Sequence, residues 1–289
     1  MYKGGRDTDM VKRIKKHKVI TIFIILILFV SVFCIWQNND LVVTKYEFVS
    51  EKVPQNLDGY RIVHISDLHN KDFGNRLVEH MKRQEPDIIV ITGDLIDSRN
   101  TRVNIAVEFA KEATKIAPVY YVTGNHEGRS LDYPELLLGL TNCGVTILDN
   151  NSRSINYNNS HFNLLGLSDP TFIEANGHEI STIMKDTINK NINGNTLNLL
   201  LAHRPELLSL YSETSVDLVF SGHAHGGQVR IPFIGGLVAP NQGLLPKYTS
   251  GIHTMNETSM IISRGLGNSI IPIRVFNRPE VVVVTLKSE

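Results

Sequence analysis

Cysteine is nearly missing from this 289-residue chain, which has only Cys34 and Cys143. Cys34 lies inside an apolar run and Cys143 stands alone in the remainder. No intrachain disulfide framework is therefore expected, and a four-cysteine zinc site is excluded. An excess of either charge is missing too. The 29 basic and 29 acidic residues cancel, which removes the general electrostatic argument for nucleic-acid binding, and no nucleic-acid partner is expected. Three catalytic signatures are absent. There is no Gly-x-Ser-x-Gly elbow for a serine nucleophile and no Gly-x-x-x-x-Gly-Lys-Ser/Thr loop to cradle phosphates. His126-Glu127 is followed by Gly-Arg-Ser without a histidine at the fifth position, so the helical zinc-peptidase motif is lacking as well. Any metal must be held by His, Asp, Glu or Asn.

Charge is also lacking between Lys18 and Asp40. Val19 to Trp36 reads VITIFIILILFVSVFCIW, in which 14 of 18 residues are Val, Ile, Leu or Phe. About 20 such residues, rising ~1.5 Å each, cover the roughly 30 Å of a bilayer core. At roughly −0.3 to −0.6 kcal/mol per residue, insertion is favoured by several kcal/mol. Lys3, Arg6, Lys12, Arg13, Lys15, Lys16 and Lys18 precede the run against Asp7 and Asp9. After it, Lys45 and Lys52 face Asp40, Glu47, Glu51 and Asp58. The basic side stays in the cytoplasm. The expected organisation is a basic cytoplasmic tail over 1–18, a single transmembrane helix in the lipid bilayer over 19–38, a linker and first strand over 39–59, and an extracytoplasmic domain over 60–289. A cleaved signal peptide is the competing reading. No small-x-small site follows the run, Phe33 precedes Cys34 where a lipoprotein needs a small residue, and there is no Arg-Arg pair. An uncleaved anchor is the reading adopted.

Beyond the anchor, Arg61–Ser66, Asp87–Thr92 and Pro118–Thr123 read as apolar strands. Asn75–Gln84, Val103–Ile116 and Tyr133–Cys143 read as helices between and after them. The second half changes rhythm. Val145–Ile147, Ser154–Tyr157, Phe162–Leu167, Leu197–His203, Val216–Phe220, Met260–Ser263 and Val281–Leu286 read as strands, with helices over Ile180–Lys190 and Pro205–Tyr211. Asn150–Ser160 is Asn/Ser-rich and predicts a loop or hairpin tip. Gly235–Gly251 predicts a Gly/Pro-bearing loop that could wall a site. Strands that first alternate with helices and then dominate predict an α/β (α+β) fold. Its architecture is two packed mixed sheets flanked by helices, plus the N-terminal transmembrane helix.

Polar residues collect where these strands end: Asp67, His69, Asp94, Asp97, Asn125, His126, His203, His223 and His225. If the strands share an edge, their carboxyl ends meet there. Two or more carboxylates, an amide and four or five imidazoles are too many donors for one tetrahedral ion. They suit two ions bridged by a carboxylate. Singly, each residue has an ordinary alternative. Asp97 could cap the helix at Val103, Gly-Asn-His could be a tight turn, and His203 could be a core histidine.

Asp67-x-His69, Gly93-Asp94-x-x-Asp97, Gly124-Asn125-His126-Glu127, His203 and Gly222-His223-x-His225 together resemble the five ordered blocks of the calcineurin-like metallophosphoesterases. Ser263-Arg-Gly-Leu-Gly267, Pro272-Ile-Arg274 and Arg278-Pro-Glu280 resemble its bacterial membrane-associated subgroup typified by YkuE and YaeI. The resemblance covers Arg61 to Leu286. It implies a two-metal enzyme that hydrolyses phosphodiester, phosphomonoester or pyrophosphate bonds with a metal-bridging hydroxide. Some relatives of that subgroup cleave UDP-2,3-diacylglucosamine, and a lipid or envelope phosphate ester is an implied substrate. By the same resemblance Asp67, His69 and His225 hold the first ion, Asn125, His203 and His223 the second, and Asp94 bridges. His126 donates to phosphoryl or leaving-group oxygen, oriented by Asp97. Mn, Zn and Fe all suit such mixed ligands. Glu127 stays outside the ligand set, and Arg204, Gln228 and Arg264 are candidates for touching phosphate or for packing. A non-catalytic, membrane-anchored metal-binding protein is the alternative.

Overall fold

The computed structural model describes residues 4–194, 196–268 and 272–289. The first half forms α1 (Gly4–Asn39), β1 (Val42–Ser50), β2 (Arg61–Ile65), α2 (Asn75–Lys82), β3 (Ile88–Thr92), α3 (Val103–Thr114), β4 (Val119–Val122), α4 (Tyr133–Asn142) and β5 (Thr146–Ile147). Then come β6 (Asn151–Tyr157), β7 (Ser160–Leu167), α5 (Gly177–Asn191), β8 (Asn198–Ala202), α6 (Leu208–Tyr211) and β9 (Leu218–Ser221). Four two-residue strands follow, β10 (Arg230–Ile231), β11 (Gly235–Gly236), β12 (Val238–Ala239) and β13 (Gly243–Leu244). β14 (Gly251–Met255), β15 (Thr258–Ile262) and β16 (Glu280–Ser288) complete the chain.

The longer strands make two six-stranded mixed sheets, ordered β1-β16-β2-β3-β4-β5 and β14-β15-β9-β8-β7-β6. In the first, β2 to β5 run parallel and β16 is antiparallel to β2. In the second, β7, β8, β9 and β15 run parallel, with antiparallel β6 and β14 at the edges. Unbroken apolar runs build this sandwich, because a strand apolar on both faces must be covered on both. Ile62, Ile88 and Val90 face the second sheet, where Phe162, Leu199, Leu201 and Phe220 meet them. Their neighbours Val63, Ile89 and Ile91 point the other way, onto Leu77, Met81, Phe109 and Leu140 of α2, α3 and α4. The outer face of the second sheet packs on Met184 and Ile188 of α5 and Leu208 and Tyr211 of α6. Each such side chain contributes about 1.5–3 kcal/mol on full burial.

Three boundaries shift. The helix expected over 19–38 extends from Gly4 to Asn39, because nothing after Gly5 breaks the basic flank. The strand expected over Ser154–Tyr157 starts earlier, as β6 from Asn151, and the hairpin tip expected within 150–160 is confined to Asn158 and Asn159, both at positive φ. Ile155, opposite Phe162, is buried in the sandwich and sets that register. Gly251, expected to end a loop, opens the edge strand β14, which runs to Met255.

Candidate metal centre

Parallel strands deliver their carboxyl ends to one edge. β2, β3 and β4 of the first sheet, and β8 and β9 of the second, each stop just before one of the polar blocks. The blocks turn sharply. Asp67 (φ 54°), His69 (46°), Asp94 (51°), His223 (63°) and His225 (47°) are all left-handed. Each such residue costs about 1–3 kcal/mol and persists only where its surroundings over-determine it. Those surroundings are visible: Asp67 and His69 donate their amides to the carbonyls of Gly93 and Asp94 at 3.0 Å. His126 N–H donates to Asp94 Oδ1 at 2.8 Å, and His223 N–H donates to both Asp67 oxygens at 3.1 Å. Two glycines make room for these carboxylates. A Cβ on Gly124 would stand 2.3 Å from Asp94 Oδ1, and one on Gly222 would stand 2.3 Å from Asp67 Oδ2.

The expected histidine and aspartate donors come together in two groups that share Asp94, and a further group joins His69 to Asp97 and His126. Asp67, His69, Asp94 and His225 place one donor atom each within 4.8 Å of one another, and so do Asp94, His203 and His223. His69 Nε2 faces His225 Nε2 at 3.0 Å, Asp67 Oδ1 lies 3.4 Å from His225 Nε2, and Asp94 Oδ2 lies 3.6 Å from His69 Nε2. On the other side Asp94 Oδ2 stands 3.2 Å from His203 Nε2, and His203 Nε2 stands 3.2 Å from His223 Nδ1. His203 donates from Nδ1 to the Thr92 carbonyl at 2.6 Å, which frees its Nε2 lone pair for an ion. All these side chains are buried.

The donor set fits cations. Asn125 Oδ1 is buried with no partner among the described residues, which is costly unless an ion or water takes it up. Burial alone would raise Asp94, but the charge and hydrogen bond of His203 pull it well below the carboxylate range. Burial likewise opposes ionisation of Asp67, and His225 and His69 overcome it. Two buried carboxylates thus stay charged. Burial lowers His225 to about 3, and burial with the charge of His203 lowers His223, so both are neutral ligands. His203 goes the other way, to about 10, because Asp94 outweighs its burial. It carries a proton that a cation would displace.

His126 sits beside this pair, its ring 4.5 Å from that of His69. The expected bond to Asp97 is not made, as Asp97 Oδ1 stands 3.6 Å from Nδ1. The amide of Ser98 donates to Nδ1 at 3.0 Å instead, while Asp97 accepts from Arg99 backbone and side chain at 2.6–3.0 Å. Burial lowers His126, so the ring is neutral with its proton on Nε2.

Of the candidates for phosphate contact, Arg204 is held by Asp169 through two bonds of 2.7 and 3.0 Å, and Arg264 by Glu280 at 2.8 Å. Gln228 keeps a buried Oε1 with no partner among the described residues. Sequence reasoning left Glu127 outside the ligand set without a role and passed over Ser98 and Asn241. Glu127 accepts the amides of Asp94, Ile96 and Gly124 at 2.8–3.2 Å, although burial and Asp94 push it up to about 7. Ser98 has no signal beyond its place after Asp97. Asn241 lies 3.2 Å from His223 Nε2 and donates to Glu206 at 2.9 Å. Asn241 comes from the 235–251 segment, so that segment does wall the site.

The profile described as Calcineurin-like phosphoesterase matches residues 60–227. The chain is 27% identical over 253 residues to the metallophosphoesterase YkuE of Bacillus subtilis, covering 85% of each. It is 26% identical to the phosphodiesterase YaeI of Escherichia coli, covering 78% of this chain and 80% of that one. A Danio rerio transmembrane protein with a metallophosphoesterase domain is 28% identical, over 85% of this chain and 57% of its own length. Among solved structures, TT1561 of Thermus thermophilus shares the fold with a TM-score of 0.52 at 11% identity, covering 72% of this chain and 90% of that one.

Proposed function

The chain belongs to the calcineurin-like phosphoesterase family, and from that premise we propose that it is a membrane-anchored hydrolase of phosphate esters or anhydrides with two divalent ions. Asp67, His69 and His225 would hold the first ion, Asn125, His203 and His223 the second, and Asp94, common to both groups, would serve each. The observation that carries this reading is the pair of donor clusters sharing Asp94. Manganese, zinc and iron all accept this ligand set. Such ions supply Lewis acidity and bring the pKa of water from 15.7 to about 7.

The protein's own groups do the rest. His126, neutral and held at Nδ1 by Ser98, presents its Nε2 proton to a phosphoryl or leaving-group oxygen. Asp97, tied to Arg99, stands behind as a fixed negative charge. Asn125 adds an oxygen donor without adding negative charge, which leaves the site cationic overall and attractive to phosphate. The apolar Lys15–Asn39 segment of α1 is long enough to cross a bilayer, which supports an anchor, and the basic residues before it argue for an N-terminus in the cytoplasm and the folded domain outside. A lipid or envelope phosphoester, UDP-2,3-diacylglucosamine among them, is the substrate class in view.

The test is elemental analysis of purified full-length protein together with p-nitrophenyl phosphodiester hydrolysis before and after chelation. Two bound ions and chelator-sensitive hydrolysis support the reading. Metal-free protein, or hydrolysis indifferent to chelation, overturns it. Two bound ions with no hydrolysis of any phosphoester would favour a non-catalytic metal protein.

A further inference from the structure

The anchor and the metal centre leave the domain on the same edge. β1 begins at Val42, opposite Glu280 of β16, and β16 runs antiparallel to β2 with Val282 opposite His64. The start of β1 therefore lies at the carboxyl end of β2, where Asp67 sits. No slack joins α1 to this edge. Gln37 Oε1 accepts the amide of Asn277 at 3.1 Å, and Asn277 in turn donates to the carbonyls of His225 and Gln228 at 2.7 and 2.9 Å. Asn268 donates to Asn38 Oδ1 at 2.9 Å. Phe276 stacks edge-on against Phe33 of α1 at 5.5 Å. The last turn of the helix is thus two hydrogen bonds from a metal-ligand residue.

The segment that follows His225 carries large apolar side chains into solvent on that edge. The β10–β11 hairpin exposes Phe233 completely and Ile234 by 64%. Val229, at its base, bridges to Val275, next to Phe276. The β12–β13 hairpin exposes Leu244 by 82% and Leu245 by 66%, and its turn holds Asn241 against His223. Apolar surface of this kind, continuous with a membrane-spanning helix, has one partner already beside it.

We propose that the two hairpins, through Phe233, Ile234, Leu244 and Leu245, seat in the same bilayer leaflet that α1 enters. The metal centre then opens at the membrane surface, onto phosphate groups of lipids lying in that leaflet. The inference rests on the anchor reading of α1 and deepens it.

Trp36 is the single tryptophan of the chain, which allows a direct test on full-length protein in nanodiscs of phosphatidylcholine and phosphatidylglycerol. Lipids brominated on the upper part of their chains quench indoles lying about 5–10 Å into the interface. Three proteins are compared: wild type, Trp36→Phe/Phe233→Trp, and Trp36→Phe/Glu257→Trp. Glu257 is exposed before β15, at the opposite edge. Quenching of the indoles at 36 and 233 but not at 257 is the expected result. Quenching at 36 with none at 233 overturns this inference and leaves the anchor standing. No quenching at 36 overturns the anchor and this inference with it. A Trp36→Phe/Leu245→Trp protein repeats the measurement on the second hairpin, should the first variant fail to fold.

Discussion

The amide of Ser98 donates to Nδ1 of His126 at 3.0 Å, and Asp97 Oδ1 stands 0.6 Å further off, at 3.6 Å (3.6 − 3.0 = 0.6). A backbone donor on Nδ1 forces the neutral ring to keep its proton on Nε2, so the chain itself sets the tautomer. His126→Ala should lower p-nitrophenyl phosphodiester hydrolysis by about 10²–10⁴-fold, the range for a positioned proton donor, with both ions retained by elemental analysis. Asp97→Asn should cost less, because Asp97 acts across a gap and without a hydrogen bond. A larger loss for Asp97→Asn than for His126→Ala would contradict the assignment.

Asp94 belongs to both donor clusters, whereas His225 and His203 belong to one each. Asp94→Ala should therefore strip both ions. His225→Ala and His203→Ala should each leave one, read as metal per protein after dialysis. Equal loss in all three variants would mean a single shared ion.

Glu127 satisfies three buried amides, two of which belong to Asp94 and Gly124 at the metal-binding turns. Each buried donor left without a partner costs about 1–3 kcal/mol. Since 1 kcal/mol shifts the melting point of a domain this size by roughly 2–4 °C, Glu127→Ala should melt well below wild type. Glu127→Gln keeps part of the acceptor set and should fall between. Unchanged melting in Glu127→Ala would show that the turns hold themselves.

The Arg204–Asp169 pair is bidentate, with Asp169 buried and Arg204 half-buried, and leaving a buried charge without its partner costs up to about 3–5 kcal/mol. Burial alone would raise Asp169, but the Arg204 hydrogen bond and charge hold it below its ordinary value. A depressed carboxyl contributes stability above its unfolded pKa, about 3.9, and loses it as pH falls through the lower folded value. Arg204→Met should accordingly be destabilised most near neutral pH. The gap to wild type should narrow below about pH 4. Thermal melts across pH check both the size and the sign.

Much of the site could be read from the chain because each ligand block follows its own apolar run. Ile88–Thr92 before Gly93-Asp94 and Leu197–Ala202 before His203 announce buried strands with polar ends. The residues passed over share a different character. Asn241 reaches His223 across 18 positions and Ser98 reaches His126 across 28. Neither lies in a pattern of its own, and each matters only through the path its loop takes. Over Asn150–Ser160 the composition marks the hairpin tip, while pairing with β7 carries the strand back to Asn151, ahead of the expected Ser154.

By itself, the sequence determined which donors exist, their order along the chain, and the apolar segment long enough to span a bilayer. These are properties of side chains and near neighbours: imidazole and carboxylate chemistry, and hydrophobicity summed over a local window. Tertiary structure alone decided that Asp94 stands between both groups, that Ser98 sets the His126 tautomer, and that the anchor and the metal centre share an edge. Those depend on loop paths, on sheet register and on the packing of one sheet against the other, which bring Ser98 to His126 across 28 positions and Asp94 to His203 across more than a hundred.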